Sequence, residues 1–319
     1  MKISLNPAGF EAEHLSALNR SFGYWGDAHR WQWCFARPFS ALPSDIIVAE
    51  LDGTAIAGTG ISYRRLRTPQ GRMLLTGILT AAWSFPVKSA RGAYMRVMSE
   101  AMRRIAEQGG ALALGFMPQN KSSGHQLLRA NAMAAVTAYV STSRQPNAKA
   151  QCGLKSCPVT ATLVEELFRR MNRRAKGGLS FVYSDISEFI GQFIERPNPV
   201  QIFVDGTGCY FIFEHLPHTM NLLAVLPEAG GAPSWRERFV EARYLADEQG
   251  RGLFAYASNE FVISEAVAGG LVAKPGFMTV TIASPAALSA ALATTADEDI
   301  ASTCLATFRT LRVENGDRM

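Results

Sequence analysis

The sequence predicts an α/β fold with a mixed (α+β) sheet, organised as two tandem domains that each have a mixed central sheet flanked by helices. Three observations predict it. The chain has 319 residues, which is long for one compact core and suits two domains of about 150. Short apolar stretches alternate with helical periodicity through the first half. The same order of elements then returns in the second half, which indicates an internal duplication.

The first half reads as helix, strands, helix, strand, helix and strand. The stretch Asp45–Gly53 alternates apolar and polar residues and ends in Asp52-Gly53, a dipeptide typical of a two-residue hairpin. A further strand, 72–85, stops before Pro86. Apolar residues recur every three or four positions in the long helix that follows: Met95, Met98, Met102 and Ile105.

The second half repeats this order from a strand pair at 200–214 to a last strand at 275–283. We therefore expect one domain at 1–150 and a second domain of the same kind at 151–319. The segment near 145–180 contains Pro146, Pro158 and a basic run, so we interpret it as the linker.

Charge is distributed unevenly between the halves. Residues 1–150 contain 17 Lys and Arg against 8 Asp and Glu, whereas residues 151–319 contain 15 against 19. This asymmetry suggests that the first half meets an anionic molecule, either a phosphorylated cofactor or an RNA backbone, or that it reflects a solvated surface. The five cysteines are scattered and complete no metal site, so we expect free thiols and no metal.

A membrane or secreted protein is not indicated. The first residues lack a basic stretch followed by an apolar one, so we expect no signal peptide. No apolar run reaches the roughly 20 residues that a membrane helix needs. We expect a cytoplasmic protein.

Two loops after strands carry a resemblance to a known family. In the first, Phe85-Pro86 leads through VKSARGAYMRVM into a helix. In the second, a strand ends at Pro118-Gln119-Asn120 and a short helix follows, and Asn131 precedes the last strand, as Gly276 does in the second half. The string Leu75–Ser143 thereby resembles the GNAT (Gcn5-related N-acetyltransferase) superfamily, in its tandem-domain branch.

The resemblance implies acetyl-CoA as the co-substrate. Independently of the family, a small-residue loop that opens a helix offers backbone N–H groups and the positive end of the helix dipole to a diphosphate. In the family, the preceding strand also splays from its neighbour and pairs with the pantetheine arm of the cofactor. The expected cofactor-binding residues are Trp83, Ser84, Phe85, Lys88, Ser89, Ala90, Arg91, Gly92, Ala93 and Asn120.

The loop departs from the family pattern at one position, where Tyr94 stands in place of Gly or Ala. The equivalent loop of the second half has Gly230 and Gly231 but no basic residue, and Glu228 would repel phosphate. We therefore expect the second domain to be degenerate as a cofactor site.

Acyl transfer from a thioester to an amine requires a proton donor for the departing thiolate. The position of the family's usual Tyr is Leu127, which cannot donate a proton. Ser123, one turn earlier, and His125 are the candidate catalytic residues, although both also fit a purely structural role.

The segment GYWGDAHRWQW holds three tryptophans, an Asp and a His within eleven residues. The equivalent segment of the family lines the acceptor pocket, which makes Trp25, Asp27 and Trp31 candidate substrate contacts, with His29 a further candidate. Aromatic core packing is the alternative interpretation.

The function predicted from these residues is an acyl-CoA-dependent N-acyltransferase that moves an acetyl group to a primary amine of a small molecule. One alternative keeps the tandem fold but uses aminoacyl-tRNA, as in peptidyltransferases of the FemABX type. Another is a non-catalytic protein that binds CoA or an acylated metabolite, which the absence of Tyr at position 127 would suit.

Overall fold

A computed structural model describes residues 1–37, 42–86, 92–119, 122–129, 132–142, 152–173, 179–228, 234–292, 304, 308, 311, 313 and 315–318. The strands within these ranges are β1 (Lys2–Leu5), β2 (Asp45–Leu51), β3 (Thr54–Arg67), β4 (Met73–Ser84), β5 (Leu112–Pro118), β6 (Met133–Ser141), β7 (Lys155–Cys157), β8 (Ser180–Val182), β9 (Val200–Val204), β10 (Tyr210–His215), β11 (Thr219–Leu226), β12 (Gly252–Ala257) and β13 (Val272–Ile282).

The α-helices of the described residues are α1 (Glu11–Phe22), α2 (Ala28–Trp31), α3 (Ala93–Glu107), α4 (Ser122–Arg129), α5 (Ala161–Arg173), α6 (Ile186–Phe193), α7 (Trp235–Glu248), α8 (Glu260–Ala268) and α9 (Pro285–Leu292). A π-helical turn, Gln32–Ala36, continues α2, and a 3-10 helix, Asn315–Arg318, lies near the end of the chain. None of the helices in the described ranges is long and apolar enough to cross a membrane.

The strands form one continuous mixed sheet in the order β1-β2-β3-β4-β5-β13-β6-β12-β11-β10-β9-β7, with β8 paired to β3. The last strands of the two halves are exchanged within it. Strand β13 of the second half pairs with β5, and β6 of the first half pairs with β12, while β6 and β13 pair with each other. The two halves therefore share the centre of one sheet.

Most predicted elements are confirmed. Strand β2 begins at Asp45, and the β2–β3 hairpin turns at Asp52 and Gly53, whose φ angles are 50° and 76°. Positive φ at both residues matches the twist of an antiparallel pair and explains the Asp-Gly choice. In α3 the apolar stripe faces the sheet, where Val97, Met98 and Ile105 are buried.

The interpretation of 145–180 as a linker is wrong for the part that the structure describes, because β7 and α5 lie there. Helix α5 buries Val164, Leu167 and Met171, which recur at helical spacing. Its arginines form the polar face, where Arg169 and Arg170 both pair with Glu166.

Helices cover both faces of the sheet. Helices α3 and α4 share one buried cluster with the face of the sheet that presents Ala113 of β5, and α7 and α8 cover the same face in the second half. Helices α1 and α2 cover the opposite face in the first half, and α5 and α6 do so in the second. Helix α9 and buried residues near the chain's end, Phe308 among them, cover its centre.

Candidate functional site

A gap opens between the parallel strands β4 and β5. They pair at Thr76–Leu112, Gly77–Ala113 and Ile78–Leu114, after which β4 continues to Ser84 and β5 to Pro118 without further pairing to each other in the described chain. A bulge follows in β4, where Ala81 has a φ of 51°. A non-glycine residue in the left-handed region is uncommon, and here it redirects the strand as the gap opens. Backbone groups of a diverging strand are free to pair with an extended ligand.

The N-terminus of α3 lies at the wide end of this gap. Just after its C-terminus, the backbone N–H of Ala111 donates to the carbonyl of Leu75 at 2.9 Å, beside the narrow end. The helix has 15 residues and is therefore about 22 Å long, so it begins at the other end.

Among the described residues no side chain caps this N-terminus, and the first turn of the helix has no acidic residue. Gly92 stands at the N-cap with a φ of 82°, and a Cβ there would meet no described atom within 4 Å. The first intrahelical bond runs from the N–H of Arg96 to the carbonyl of Gly92 at 3.0 Å. A helix start of this kind attracts anions through its N–H groups and its dipole.

Tyr94 packs into the core. Its side chain is 9% exposed and belongs to the cluster between α3 and the sheet, together with Ile47, Val97 and Met98. The departure from the family's small residue is thus accommodated in the core. Of the predicted loop residues, Lys88, Ser89, Ala90 and Arg91 lie outside the described residues, as does Asn120.

The end of β4 presents its three predicted residues differently. Trp83 is 3% exposed and packs against Gly58 and Phe85, whereas Ser84 is exposed. Phe85 is half-buried, and the guanidinium of Arg20 lies 4.2 Å from the centre of its ring. Ala93 is buried as the first residue of α3.

A second gap opens between β11 and β12, which pair from Thr219–Gly252 to Asn221–Phe254 and then separate in the described chain. A bulge again follows, since Ile212 faces Ala224 but Phe213 faces Leu222. The two halves therefore carry the same strand geometry.

The sequence comparisons gave no match, neither among family models nor among curated proteins. The fold does match solved structures. A GCN5-related N-acetyltransferase from Anabaena variabilis aligns over 90% of this chain and 74% of its own with a TM-score of 0.61 and 12% identity. A GCN5-related N-acetyltransferase from Kribbella flavida aligns over 91% and 74% with a TM-score of 0.59 and 13% identity.

The Saccharomyces cerevisiae N-myristoyltransferase, solved with bound myristoyl-CoA and inhibitors, aligns over 87% of this chain and 80% of its own, with a TM-score of 0.59 and 11% identity. This chain has the GNAT fold. The fold predicted from the two loops is thereby confirmed, and both of its halves contain the strand gap described above.

The gap between β11 and β12 differs from the gap between β4 and β5 in two ways. The N-terminus of α7 is capped, because Ser234 Oγ accepts from the N–H of Glu237 at 3.3 Å, and Glu237 places a negative charge in the first turn. In addition, the 3-10 helix Asn315–Arg318 packs against β11 and β12, and the N–H of Val313 donates to Ser258 Oγ at 3.2 Å. The chain's own end therefore covers one face of this gap.

The candidate catalytic residues lie on α4. His125 is exposed, whereas Leu127 is buried in the cluster below α3. The backbone of Ser123 belongs to α4, but its side chain lies outside the described part of the structure. The structure thus orients α4 with Leu127 inward and His125 toward solvent.

The three candidate substrate residues lie at the other face of the sheet. Trp25 and Trp31 are buried in an aromatic cluster with Trp33, Phe35 and Trp83. Asp27 caps α2, since its Oδ1 accepts from the N–H of Arg30 at 2.9 Å. Trp31 also lines a cavity of about 570 Å³ between α1 and α2, whose other walls include Glu11, Leu15, Gln32 and Arg37.

Sequence reasoning missed His14, which is fully buried in α1 beneath this cluster. Its Nδ1 accepts from Trp31 Nε1 at 3.1 Å, and burial lowers its pKa to about 4. The sequence signal that could have indicated its burial is its position one turn after Phe10, because residues four apart share one helix face.

Proposed function

We propose that this chain is an acyl-CoA-dependent N-acyltransferase that transfers an acetyl group to a primary amine of a small molecule. One observation carries the proposal: the gap between β4 and β5 has the uncapped, glycine-led N-terminus of α3 at its wide end. An extended arm with amide groups fits the unpaired edge of a strand, and a diphosphate fits a helix N-terminus. Acyl-CoA joins these two features in one molecule.

The first half supplies the proposed cofactor site. Gly92 and Ala93 begin α3, and the proposed anionic contacts before them are Lys88, Ser89, Ala90 and Arg91. Trp83, Ser84 and Phe85 at the end of β4, together with Asn120 after β5, complete the proposed set. In the second half, α7 is capped and has an acidic first turn. This argues for a structural role of the second half rather than for a second cofactor site.

The reaction would form one C–N bond and break one C–S bond. The neutral amine attacks the thioester carbonyl, and the collapsing intermediate releases the CoA thiolate, which takes up a proton while the new amide nitrogen loses one. Leu127 cannot supply this proton, so we propose Ser123 or His125 on α4 as the donor. Trp31, beside the larger cavity, together with Trp25 and Asp27, would shape the wall on the acceptor side.

Titration calorimetry of the purified chain with acetyl-CoA tests the cofactor assignment. We expect saturable binding to wild type and at least tenfold weaker binding to Arg91→Glu, which places a negative charge beside the α3 N-terminus. The matched control is Arg236→Glu, a charge reversal at an exposed position in the first turn of α7, which should bind acetyl-CoA as wild type does.

Release of free thiol, followed with a panel of primary amines, tests the catalytic assignment. Binding of acetyl-CoA without thiol release from any amine would favour a non-catalytic binding protein. Absence of acetyl-CoA binding, combined with tRNA binding that weakens steeply as salt rises, would overturn the proposal in favour of an aminoacyl-tRNA-dependent transferase.

A further inference from the structure

A second cavity, of about 160 Å³, lies on the face of the sheet opposite α3 and joins the two halves. One molecule of water needs roughly 10–15 Å³ of such space, so the cavity has room for a small organic group. Its walls include Arg30 of α2, Arg196 after α6 and Arg318 of the 3-10 helix, with Trp33, Glu214 and Asn221 between them.

Among the residues that the structure describes, the charged side chains lining this cavity are three arginines and one glutamate. Glu214 already has its partners: Arg196 Nε lies 3.4 Å away, Asn198 Nδ2 donates at 2.9 Å and Asn221 Nδ2 donates at 3.2 Å. Burial alone would raise the pKa of Glu214, but these neighbours outweigh it and lower the pKa, so the residue is a carboxylate. Arg30 and Arg318 have no carboxylate partner among the described residues, so the described part of the lining carries a net positive charge.

Arg318 is the most firmly positioned of the three arginines. Its guanidinium carbon lies 4.7 Å from the ring centre of Tyr139 and 4.5 Å from that of Tyr256, so two aromatic rings fix its plane. Its Nε and Nη1 are buried without a hydrogen-bond acceptor in the described chain. Donors of a buried guanidinium are normally satisfied, so these two indicate a place for an anionic acceptor beside Arg318.

Two further arginines raise the positive potential around the cavity. Arg37 and Arg64 lie near Arg196, and the pKa of Arg37 is lowered to about 9, first by burial and then by the charges of Arg64 and Arg196. An arginine whose ionisation is opposed by neighbouring arginines indicates a local excess of positive charge that an anion would relieve.

The cavity is close to the gap between β4 and β5. Phe116 lies on β5 beyond its last pairing with β4, and its ring centre is 5.7 Å from that of Tyr256. Because Tyr256 lies against Arg318, the guanidinium of Arg318 is within about 10 Å of the Phe116 ring. An extended acceptor of about eight bonds would span this distance.

We propose that this cavity binds the carboxylate of the acceptor, so that the substrates are amines that also carry a carboxylate. The inference rests on the proposed N-acyltransferase function for the identity of the amine. Arg318 would donate to the carboxylate from Nε or Nη1, with Arg30 and Arg196 adding charge, while the amine end reaches toward the gap. A phosphate on the amine would use the same donors, and the experiment separates the two.

Two measurements on the full chain test the proposal. The first is calorimetric titration, without any CoA ester, of 4-aminobutyrate, its neutral amide and phosphoethanolamine. We expect 4-aminobutyrate to bind and the amide not to bind, and we expect Arg318→Gln to weaken the acid at least tenfold. Tighter binding of phosphoethanolamine than of any amino acid would overturn the carboxylate assignment.

The second measurement is thiol release from acetyl-CoA with paired acids and amides of increasing length. Arg318→Gln and Arg30→Gln should raise KM for the acids and leave KM for acetyl-CoA unchanged, and Arg236→Gln should alter neither. Because Arg318→Gln could disturb the end of the chain, Arg30→Gln on α2 provides an independent test.

Turnover of acids and amides with equal KM would overturn the inference while leaving the transferase proposal intact. If acetyl-CoA does not bind at all, the transferase proposal fails, and the titrations without CoA still decide whether the cavity binds a carboxylate.

Discussion

Trp31 and His14 are joined by a buried hydrogen bond of 3.1 Å, in which the indole N–H of Trp31 donates to Nδ1 of His14. The imidazole is stacked on Phe10 and lies 5.1 Å from the ring centre of Phe35. Because Nδ1 accepts this bond, the neutral ring carries its proton on Nε2. The bond ties α1 to α2 on the face of the sheet opposite α3.

This pair predicts a specific dependence of stability on pH. The pKa of His14 falls from 6.5 in the unfolded chain to about 4 in the fold because of burial. The unfolded chain therefore binds a proton that the folded chain does not, so stability is full above pH 6.5 and is lost as the pH falls toward 4. The loss from His14 amounts to about 3 kcal/mol over this window. Urea unfolding of wild type and His14→Gln between pH 7 and pH 4 measures this loss. Equal slopes of unfolding free energy against pH for the two proteins would contradict the prediction.

A second prediction concerns Asp45, the buried carboxylate that joins α3 to the sheet. Arg104 Nε lies 2.8 Å from Asp45 Oδ2. The Asp45 carboxylate also accepts from the Tyr63 hydroxyl at 2.7 Å and from Asn6 Nδ2 at 2.7 Å. Asp45→Asn should lower the free energy of unfolding by about 2–4 kcal/mol, because it leaves a partly buried arginine and a buried hydroxyl mispaired. The control is Arg103→Gln on the same helix, whose exposed ion pairs with Glu100 and Glu107 should contribute little. Similar losses from both substitutions, in chemical denaturation, would argue against the prediction.

Gly92 should separate stability from cofactor binding. Its φ of 82° is unfavourable for any residue with a Cβ, so Gly92→Ala should cost about 1–2 kcal/mol and weaken acetyl-CoA binding by displacing the start of α3. Gly71 has a φ of 83° in the β3–β4 turn and equally open surroundings. Gly71→Ala should therefore lower the melting temperature comparably and leave acetyl-CoA affinity unchanged. Loss of affinity in both variants would indicate a general effect of instability.

The proton donor is tested by kcat rather than by binding. Replacing the donor, through Ser123→Ala or His125→Gln, should lower kcat by about 10²-fold or more with KM for acetyl-CoA unchanged, because the contact matters when the thiolate leaves. Gln126→Ala, at an exposed neighbouring position on α4, is the control. Unchanged kcat in all three variants would exclude α4 as the source of the proton.

Local features of the fold were predictable from the sequence because their signals lie within a few residues. The Asp52-Gly53 turn and the apolar stripe of α3 are examples, and both appear where the sequence places them. The basic run at 169–178 led to the linker interpretation, although Val164, Leu167 and Met171 recur at helical spacing before and within it. The gap between β4 and β5 was expected through the resemblance to the GNAT family, because no local pattern marks where two strands stop pairing.

Features that depend on distant residues were not predictable. Strand β13 pairs Ile282 with Leu112 and Gly276 with Pro118, and no periodicity in either segment indicates that partner. The arginine cavity draws Arg30, Arg196 and Arg318 from three separate parts of the chain, and each alone looks like an ordinary surface charge.

The exchange of β6 and β13 means that neither half of this molecule is a free-standing module. A fragment ending near residue 150 would keep β5 without the neighbour that completes its edge, and it would carry β6 without the strands on either side. Each half is therefore indispensable to the central strands of the other, whether or not its own gap binds a ligand.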